Sequence, residues 1–437
     1  MSCRRFTFRT AIVLAFLCVV TFFPAALMPT AAAQEIHLEV WHSWTGFREP
    51  LVDKMLQDFM AEHPHIKVTH RIASDLHEEF TLAYAGGVAP DIIMVTTKHL
   101  VALADQGVFV ELDPWLERDG ISRDIWIPGE ITSGEWQGKI YGLPIRTGGE
   151  SSNVLYYNKD VFAEAGLDGS RAPATWDELY NVSRRLVRYD GDDIVLNPII
   201  DITDGATIRP TLNWMFAGGG RYLSDDLRTV AYNTPETANM MEWVYNFRRE
   251  IYRNVGDDRM ARSDFFSGRA AMWFSGSEGF SLVWDYDANF PLGAGPRPRA
   301  EGSAYCGANY GTWTYAIPVS TPYKEEAWEL LKWLTIREES AGWFLVQQGR
   351  PSPVRTFNMN PDYLDVNPYI YVLGEVLECA APVPFLPIQD DIGIPLRNAF
   401  RQVINGEAPA HSALAEAASV SQAVLEQYWA ERDAKRN

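Results

Sequence analysis

Fifteen tryptophans stand in this 437-residue chain, where aromatic residues make up 13% of positions. A ring face can stack on the apolar C–H side of a pyranose, while neighbouring polar groups bond the hydroxyls that project sideways. Three tryptophans stand where a ligand could reach them. Trp44 lies just past a first predicted strand in a polar, glycine-containing loop, Trp214 precedes Gly218-Gly219-Gly220, and Trp313 follows Gly311. The rival role for any one of them is core packing, and Trp176, Trp328 and Trp333 fit helical core faces. Ser275 and Ser277 flank Gly276 and can donate to hydroxyl or phosphate oxygens, with helix capping as the alternative. Asp75, in the loop after the second predicted strand, could bond a ligand or cap the next helix. Arg350, within Gly349-Arg350-Pro351-Ser352-Pro353, offers a planar fork for vicinal hydroxyls or a phosphate.

Motifs for covalent, metal or nucleotide chemistry do not occur. His77-Glu78 lacks the later histidine of a zinc helix, there is no G-x-S-x-G, and Gly218-Gly219-Gly220 is unlike a dinucleotide fingerprint. The run Asp190 to Asp193 lacks calcium-loop spacing and reads as a solvated turn. No cofactor or metal is therefore expected. A secreted glycosidase or polysaccharide lyase stays a rival, because sequence cannot place two carboxylates across a scissile bond. An adhesive surface protein is another.

The elements that must position these residues alternate. Ile36 to Trp41 alternates apolar and polar residues as a strand does, and Arg48 to Glu62 carries Leu51, Val52, Met55, Leu56 and Phe59 on one helical face. Ile66-Lys67-Val68 starts a strand, Leu76 to Tyr84 reads as a helix, and Asp91 to Val95 suits a strand buried on both faces. This alternation predicts an open, largely parallel α/β sheet. Later, Thr175-Trp176-Asp177-Glu178 is a capping box, and Glu236 to Tyr252, Lys324 to Ile336 and Ser412 to Ala430 read as helices. The Pro-rich stretch Pro291 to Pro298 reads as a connection rather than a packed element.

The chain opens with Arg4, Arg5 and Arg9, an apolar run from Ala11 to Val20, and Ala31-Ala32-Ala33. That order predicts a secretory signal over residues 1–33, cleaved after Ala33. A membrane anchor is the competing reading, but the apolar stretch is short for a span, and Pro24 and Pro29 break the residues beyond it. Arg4-Arg5 leaves twin-arginine export open. Loss of three arginines takes the formal charge from −19 to −22, a surface that repels nucleic acid and anionic lipid. Cys306 and Cys379 remain in the mature chain; outside the cytoplasm they could pair, although their separation in sequence gives no evidence of contact. The length predicts two domains.

Several segments together resemble the bacterial extracellular solute-binding proteins that serve sugar ABC transporters, of maltose-binding type. Leu38 to Trp44 resembles the family's opening strand and first ligand loop, and Gly86-Gly87-Val88-Ala89-Pro90-Asp91-Ile92 its G-x-x-P-D-[VI] strand entry. Gly138 to Pro144 followed by Leu155 to Asp160, Thr175 to Leu179, and Gly268 to Met272 are similar to further family blocks in the same order. The resemblance implies an α/β two-lobe periplasmic-binding-protein fold of type II, with ligand held between lobes at the carboxyl ends of strands. It implies one lobe from residues 34–147 plus 300–350 and another from 148–299 plus 351–437, with crossings near Arg146 to Glu150, Gly295 to Ala300 and Gly349 to Val354. It also implies that Thr97, at a strand end, Glu150, at the first crossing, and Arg350, at the third, point toward ligand. Many relatives have a carboxylate near Thr97, and maltose-type relatives have a stacking tryptophan near Glu278, so neither contact carries over to this chain. Relatives that take glycerol 3-phosphate or its diesters place an arginine in a stretch similar to that of Arg397 and share the W-H-S opening, which makes these an alternative ligand. The implied role is capture of a mono- or oligosaccharide in the periplasm or at the cell surface by a monomer that delivers it to membrane permease subunits, without catalysis.

Overall fold

In a computed structural model the described residues are 35–149, 151, 153–200, 207–252 and 262–436. The predicted signal and Glu150 lie outside them. Strands Ile36–His42, Ile66–Ile72 and Ile92–Thr96 are parallel, with Ile36 opposite Ile66 and Val40 opposite Ile92. Ile92, Ile93, Met94 and Val95 are all buried, as a strand covered on both faces requires. Trp313–Ala316 then runs antiparallel beside Ile92–Thr96, and Gly142–Pro144 antiparallel beside it, which completes a five-stranded sheet. The carboxyl ends of the three parallel strands therefore open onto one edge, where Thr96 meets Trp313.

A second sheet has three strands, Val154–Asn158 at the centre with Met272–Ser275 and Leu292–Pro296 on either side, both antiparallel to it. Two expectations are corrected here. The parallel reading holds only for part of the first sheet, and the Pro-rich stretch is a packed strand. Its small residues explain why: a Cβ on Gly293 would lie 2.1 Å from the Tyr157 ring, so the backbone can approach that ring only without a side chain. Arg297 just beyond it is buried, with its guanidinium 3.7 Å from the Phe274 ring centre.

Local signals in the sequence translate directly at several helix starts. Thr175 Oγ1 accepts from the Glu178 amide at 3.2 Å, and the Glu178 carboxylate reaches back to the Ala174 amide at 2.8 Å rather than to Thr175 itself. Helices Glu49–Glu62, Pro235–Tyr252 and Lys324–Thr335 bury their apolar faces. Gln389–Ile404 packs on the final helix, Ala410–Arg436, where Ser421 Oγ donates to the Ile392 carbonyl at 2.8 Å. Arg432 near its end pairs with Asp105, which also accepts from Trp136 Nε1.

Cys306 and Cys379 form a disulfide, and the parallel pair Gly307–Asn309 and Ala380–Pro382 starts directly after them. Asn309 Nδ2 in turn donates to the fully buried Glu130 carboxylate at 3.0 Å, which also accepts from the amides of Gly148 and Gly149 at 2.9 and 3.0 Å. One acid thus ties the segment after Gly142–Pro144 to the segment before Trp313–Ala316. Among the described residues no helix is long and apolar enough to cross a membrane.

Candidate ligand-binding cavity

Helix Thr97–Asp105 begins directly after strand Ile92–Thr96, and its second residue, Lys98, faces a cavity of about 600 Å³. Ile208–Ala217 contributes Arg209 from its first turn, and Gln389–Ile404 contributes Gln389, Asp390 and Arg397. Tyr310 supplies an aromatic wall, held by Phe385 at 5.0 Å between ring centres, and the Arg209 guanidinium lies 5.8 Å from the Tyr310 ring centre. Burial pushes the Tyr310 phenol up to about 12, so the hydroxyl stays a neutral donor.

Lys98 pairs with Asp390 across the cavity. Arg209 donates to Ser151 Oγ at 3.2 Å and Arg397 to Asn398 Oδ1 at 3.2 Å, both neutral acceptors. Among the described residues the lining carries the cations Lys98, Arg209 and Arg397 and the carboxylate of Asp390, in a chain whose net charge is −19.

A smaller cavity of about 250 Å³ opens at the carboxyl edge of the five-stranded sheet, lined by Asp75, His77, Thr96, His99 and Trp313. His77 and His99 stack at 3.6 Å, and Thr96 Oγ1 lies 3.0 Å from His99 Nδ1. Burial, then the neighbouring His77 and Lys98, hold His99 down to about 4, so its imidazole is neutral at neutral pH. Segment Thr96 to His99 borders both cavities. A further cavity of about 700 Å³ beside Trp136, Phe216 and Tyr305 touches none of the predicted residues, and its Arg221 and Asp225 pair with each other.

The structure brings Arg397 to the first cavity, and Asp75 and Trp313 to the second. Asp75 also caps the helix after it, since Oδ1 accepts from the Glu78 amide at 3.1 Å. Other expected contacts are placed elsewhere. Trp214 is fully buried among Trp176, Trp243 and Phe274 and is a core residue, not a platform. Thr97 is buried, and its hydroxyl donates to the Thr312 carbonyl at 3.1 Å while accepting from the Thr312 amide at 2.9 Å. Both hydrogen-bonding directions are used within the chain. Ser275 is buried beside Glu278, 3.5 Å from its carboxylate. Arg350 lines neither cavity; it lies close enough to Arg48 to help burial lower that guanidinium's pKa.

Trp44 is buried, with its ring edge-on to Phe344 at 5.2 Å and the Arg48 guanidinium 5.9 Å away. Its amide donates to His42 Nδ1 at 3.1 Å. That bond assigns the His42 proton to Nε2, which donates to His70 Nδ1 at 2.8 Å, and His70 Nε2 donates to Asp53 Oδ1 at 2.8 Å. The Trp44 loop is therefore held from below by a relay of two imidazoles.

The description bacterial extracellular solute-binding protein matches residues 44–339, well over half of the chain. The chain belongs to this family. A binding protein of Brucella abortus (strain 2308) is 24% identical over 412 residues, covering 92% of this solute-binding protein and 95% of the relative. The sn-glycerol-3-phosphate-binding periplasmic protein UgpB of Shigella flexneri serotype 5b (strain 8401) is 25% identical over 284 residues, 62% of this chain and 63% of the relative. Among solved structures, the sugar-binding protein MalE of Xanthomonas citri superposes with a TM-score of 0.77 at 20% identity, covering 91% of this chain and 99% of that one. The cyclic alpha-maltosyl-1,6-maltose binding protein of Arthrobacter globiformis gives 0.75 at 20% identity, covering 90% and 99%. The solute-binding protein thus has the α/β fold of the type II periplasmic binding proteins. It is a binder rather than an enzyme.

Residue type and spacing do not single out the cavity residues Lys98, Arg209, Tyr310, Gln389 and Asp390. Lys98 had a signal, because it comes directly after Thr97 at the strand end where a ligand contact was expected. Arg209 and Asp390 sit in first helical turns, a place where surface charges are common, so type and position do not single them out.

Proposed function

We propose that this solute-binding protein serves an ABC importer, capturing a mono- or oligosaccharide outside the cytoplasm and handing it to the membrane permease. The observation that supports this best is the 600 Å³ cavity with the Tyr310 ring at its wall and Arg209, Gln389, Asp390 and Arg397 around it. An aromatic face with charged and amide groups at its edge suits a ring that is apolar on one side and hydroxylated at its rim. In this reading residues 34–147 and 300–350 form one lobe and 148–299 and 351–437 the other, and closing around the solute makes the shape the permease reads. Micromolar affinity, about −8 kcal/mol, suffices for capture and release. The acidic surface selects a permease with complementary charge, and the protein works as a monomer without nucleic acid.

A second reading, glycerol 3-phosphate or a glycerophosphodiester, is favoured by Lys98, Arg209 and Arg397 in the cavity lining. The similarity to the Shigella flexneri protein points the same way. A thermal-shift screen of the mature chain from Gln34 separates the two. A solute at 100 times its dissociation constant adds about 2.7 kcal/mol of stability. Stabilisation by sugars supports the first reading, and by phosphodiesters alone the second; stabilisation by neither would sink both. If the solute is a phosphodiester, Arg397→Ala is expected to weaken it by roughly 10- to 100-fold, the worth of one charge-assisted contact, and a neutral sugar by far less. Calorimetric titration of the variant reads this directly.

A further inference from the structure

Behind the 600 Å³ cavity sits a hydroxyl that no described residue satisfies. Tyr222 is 1% exposed, and its phenol makes no hydrogen bond among the described residues. Buried phenols nearly always find a partner, because desolvating the group without one destabilises the fold. Tyr310 and Asp390, both cavity residues, lie close enough to the Tyr222 hydroxyl to act on it electrostatically.

What separates this hydroxyl from the cavity is a missing side chain. A Cβ placed on Gly393 would stand 3.4 Å from the Tyr222 hydroxyl oxygen and 3.5 Å from Ile208 Cγ1, and both Gly393 and Ile208 line the cavity. Gly393 lies within helix Gln389–Ile404 and has no positive φ, so the backbone does not call for glycine there. Its effect is to leave a methyl-sized gap. Gln389, Gly393 and Arg397 succeed one another at intervals of four, so one helix face presents an amide, an opening and a guanidinium in a row. Gln389 is fully buried, and its Nε2 makes no close hydrogen bond among the described residues, although it interacts with the Tyr310 hydroxyl.

We propose that the Tyr222 hydroxyl, reached through the gap at Gly393, hydrogen-bonds an oxygen of the bound solute, with the Gln389 amide bonding beside it. This rests on the reading of the cavity as the solute site and deepens it. A phenol gives and takes a hydrogen bond and an amide nitrogen gives one, so a hydroxyl of the solute can meet both. A sugar ring or the glycerol end of a phosphodiester supplies such a hydroxyl.

Isothermal titration and thermal unfolding of the mature wild-type chain, Tyr222→Phe and Gly393→Ala test this. The probes are glucose, maltose, maltotriose, glycerol 3-phosphate and glycerophosphocholine. Tyr222→Phe removes an unsatisfied buried group, so without ligand its midpoint is expected to rise by roughly 2 °C, while its affinity falls about tenfold. Gly393→Ala is expected to hold or raise the midpoint, since alanine favours a helix, and to weaken binding similarly by closing the gap. Opposite signs for stability and affinity are what a merely structural tyrosine cannot give. Wild-type affinity in Tyr222→Phe would overturn the inference and leave the cavity reading intact. A wild-type chain that binds none of the probes would overturn the cavity reading and the inference with it.

Discussion

Replacing Cys306 and Cys379 together by alanine is expected to lower the free energy of unfolding by about 4 kcal/mol. The bond closes a loop with a sequence separation of 73, and the entropy removed from the unfolded chain grows with the logarithm of that length. The folded state itself should change little. Cys306 donates its amide to the Cys379 carbonyl at 2.9 Å, and the strand pair that starts at Gly307 and Ala380 continues the pairing without help from sulfur. A family that works outside the cytoplasm meets oxidising conditions, in which such a bond persists. Denaturant unfolding of the double variant, and of the wild type with and without reductant, reads the effect. A loss below about 1 kcal/mol would sink the loop-closure account and show that the unfolded ensemble already keeps these ends together.

Acid is expected to destabilise the fold well before its carboxylates titrate. Burial, and next the neighbouring His70, lower His42 from 6.5 to about 4, with Asp53 opposing. His99 is lowered to about 4 as well, by burial first and then by His77 and Lys98, against Asp390 and Asp75. For a histidine depressed in this way the unfolded chain binds more protons between the two values, so stability is complete above pH 6.5 and falls as pH approaches 4. For His42 the loss between pH 7 and pH 5 comes to about 2 kcal/mol; partly exposed His99 adds less. The geometry gives a reason beyond desolvation. A proton on His42 Nδ1 would face the Trp44 amide, donor against donor, at a position now 3.1 Å apart. His42→Asn keeps an acceptor for that amide and cannot titrate, so it should flatten the stability profile between pH 7 and pH 5. An unchanged slope in that variant would place the acid sensitivity elsewhere.

Much of the local architecture can be read from residue order. Strand Ile92–Thr96 announces itself by an apolar run, the helix after Asp75 by its cap, and the helix after Thr175 by a box whose glutamate reaches one residue further back than expected. The stretch from Pro291 misleads because prolines and glycines usually mark connections. Here the glycines let a strand lie against Tyr157, a contact across more than 130 residues.

Site residues are harder for the same reason. Trp44 and Trp214 have the residue type and loop setting of ligand platforms, yet Phe344 and Trp243 cover them. Thr97 stands at a strand end as expected, but its hydroxyl is consumed by Thr312, 215 positions away. Conversely, Lys98, Arg209, Tyr310 and Gln389 look like ordinary surface or helix residues until four distant segments meet around one cavity.

By itself, then, the sequence determined the alternation of strands and helices, the caps, the acidic charge and, through ordered blocks, the family, because all of these rest on neighbours within a turn or a strand. Only the tertiary structure decided that Cys306 meets Cys379, that the second sheet is antiparallel, and which rings and hydroxyls face a cavity. Those depend on which remote residue supplies the partner: the Thr97 hydroxyl both donates to and accepts from Thr312, whereas the Tyr222 hydroxyl makes no hydrogen bond among the described residues.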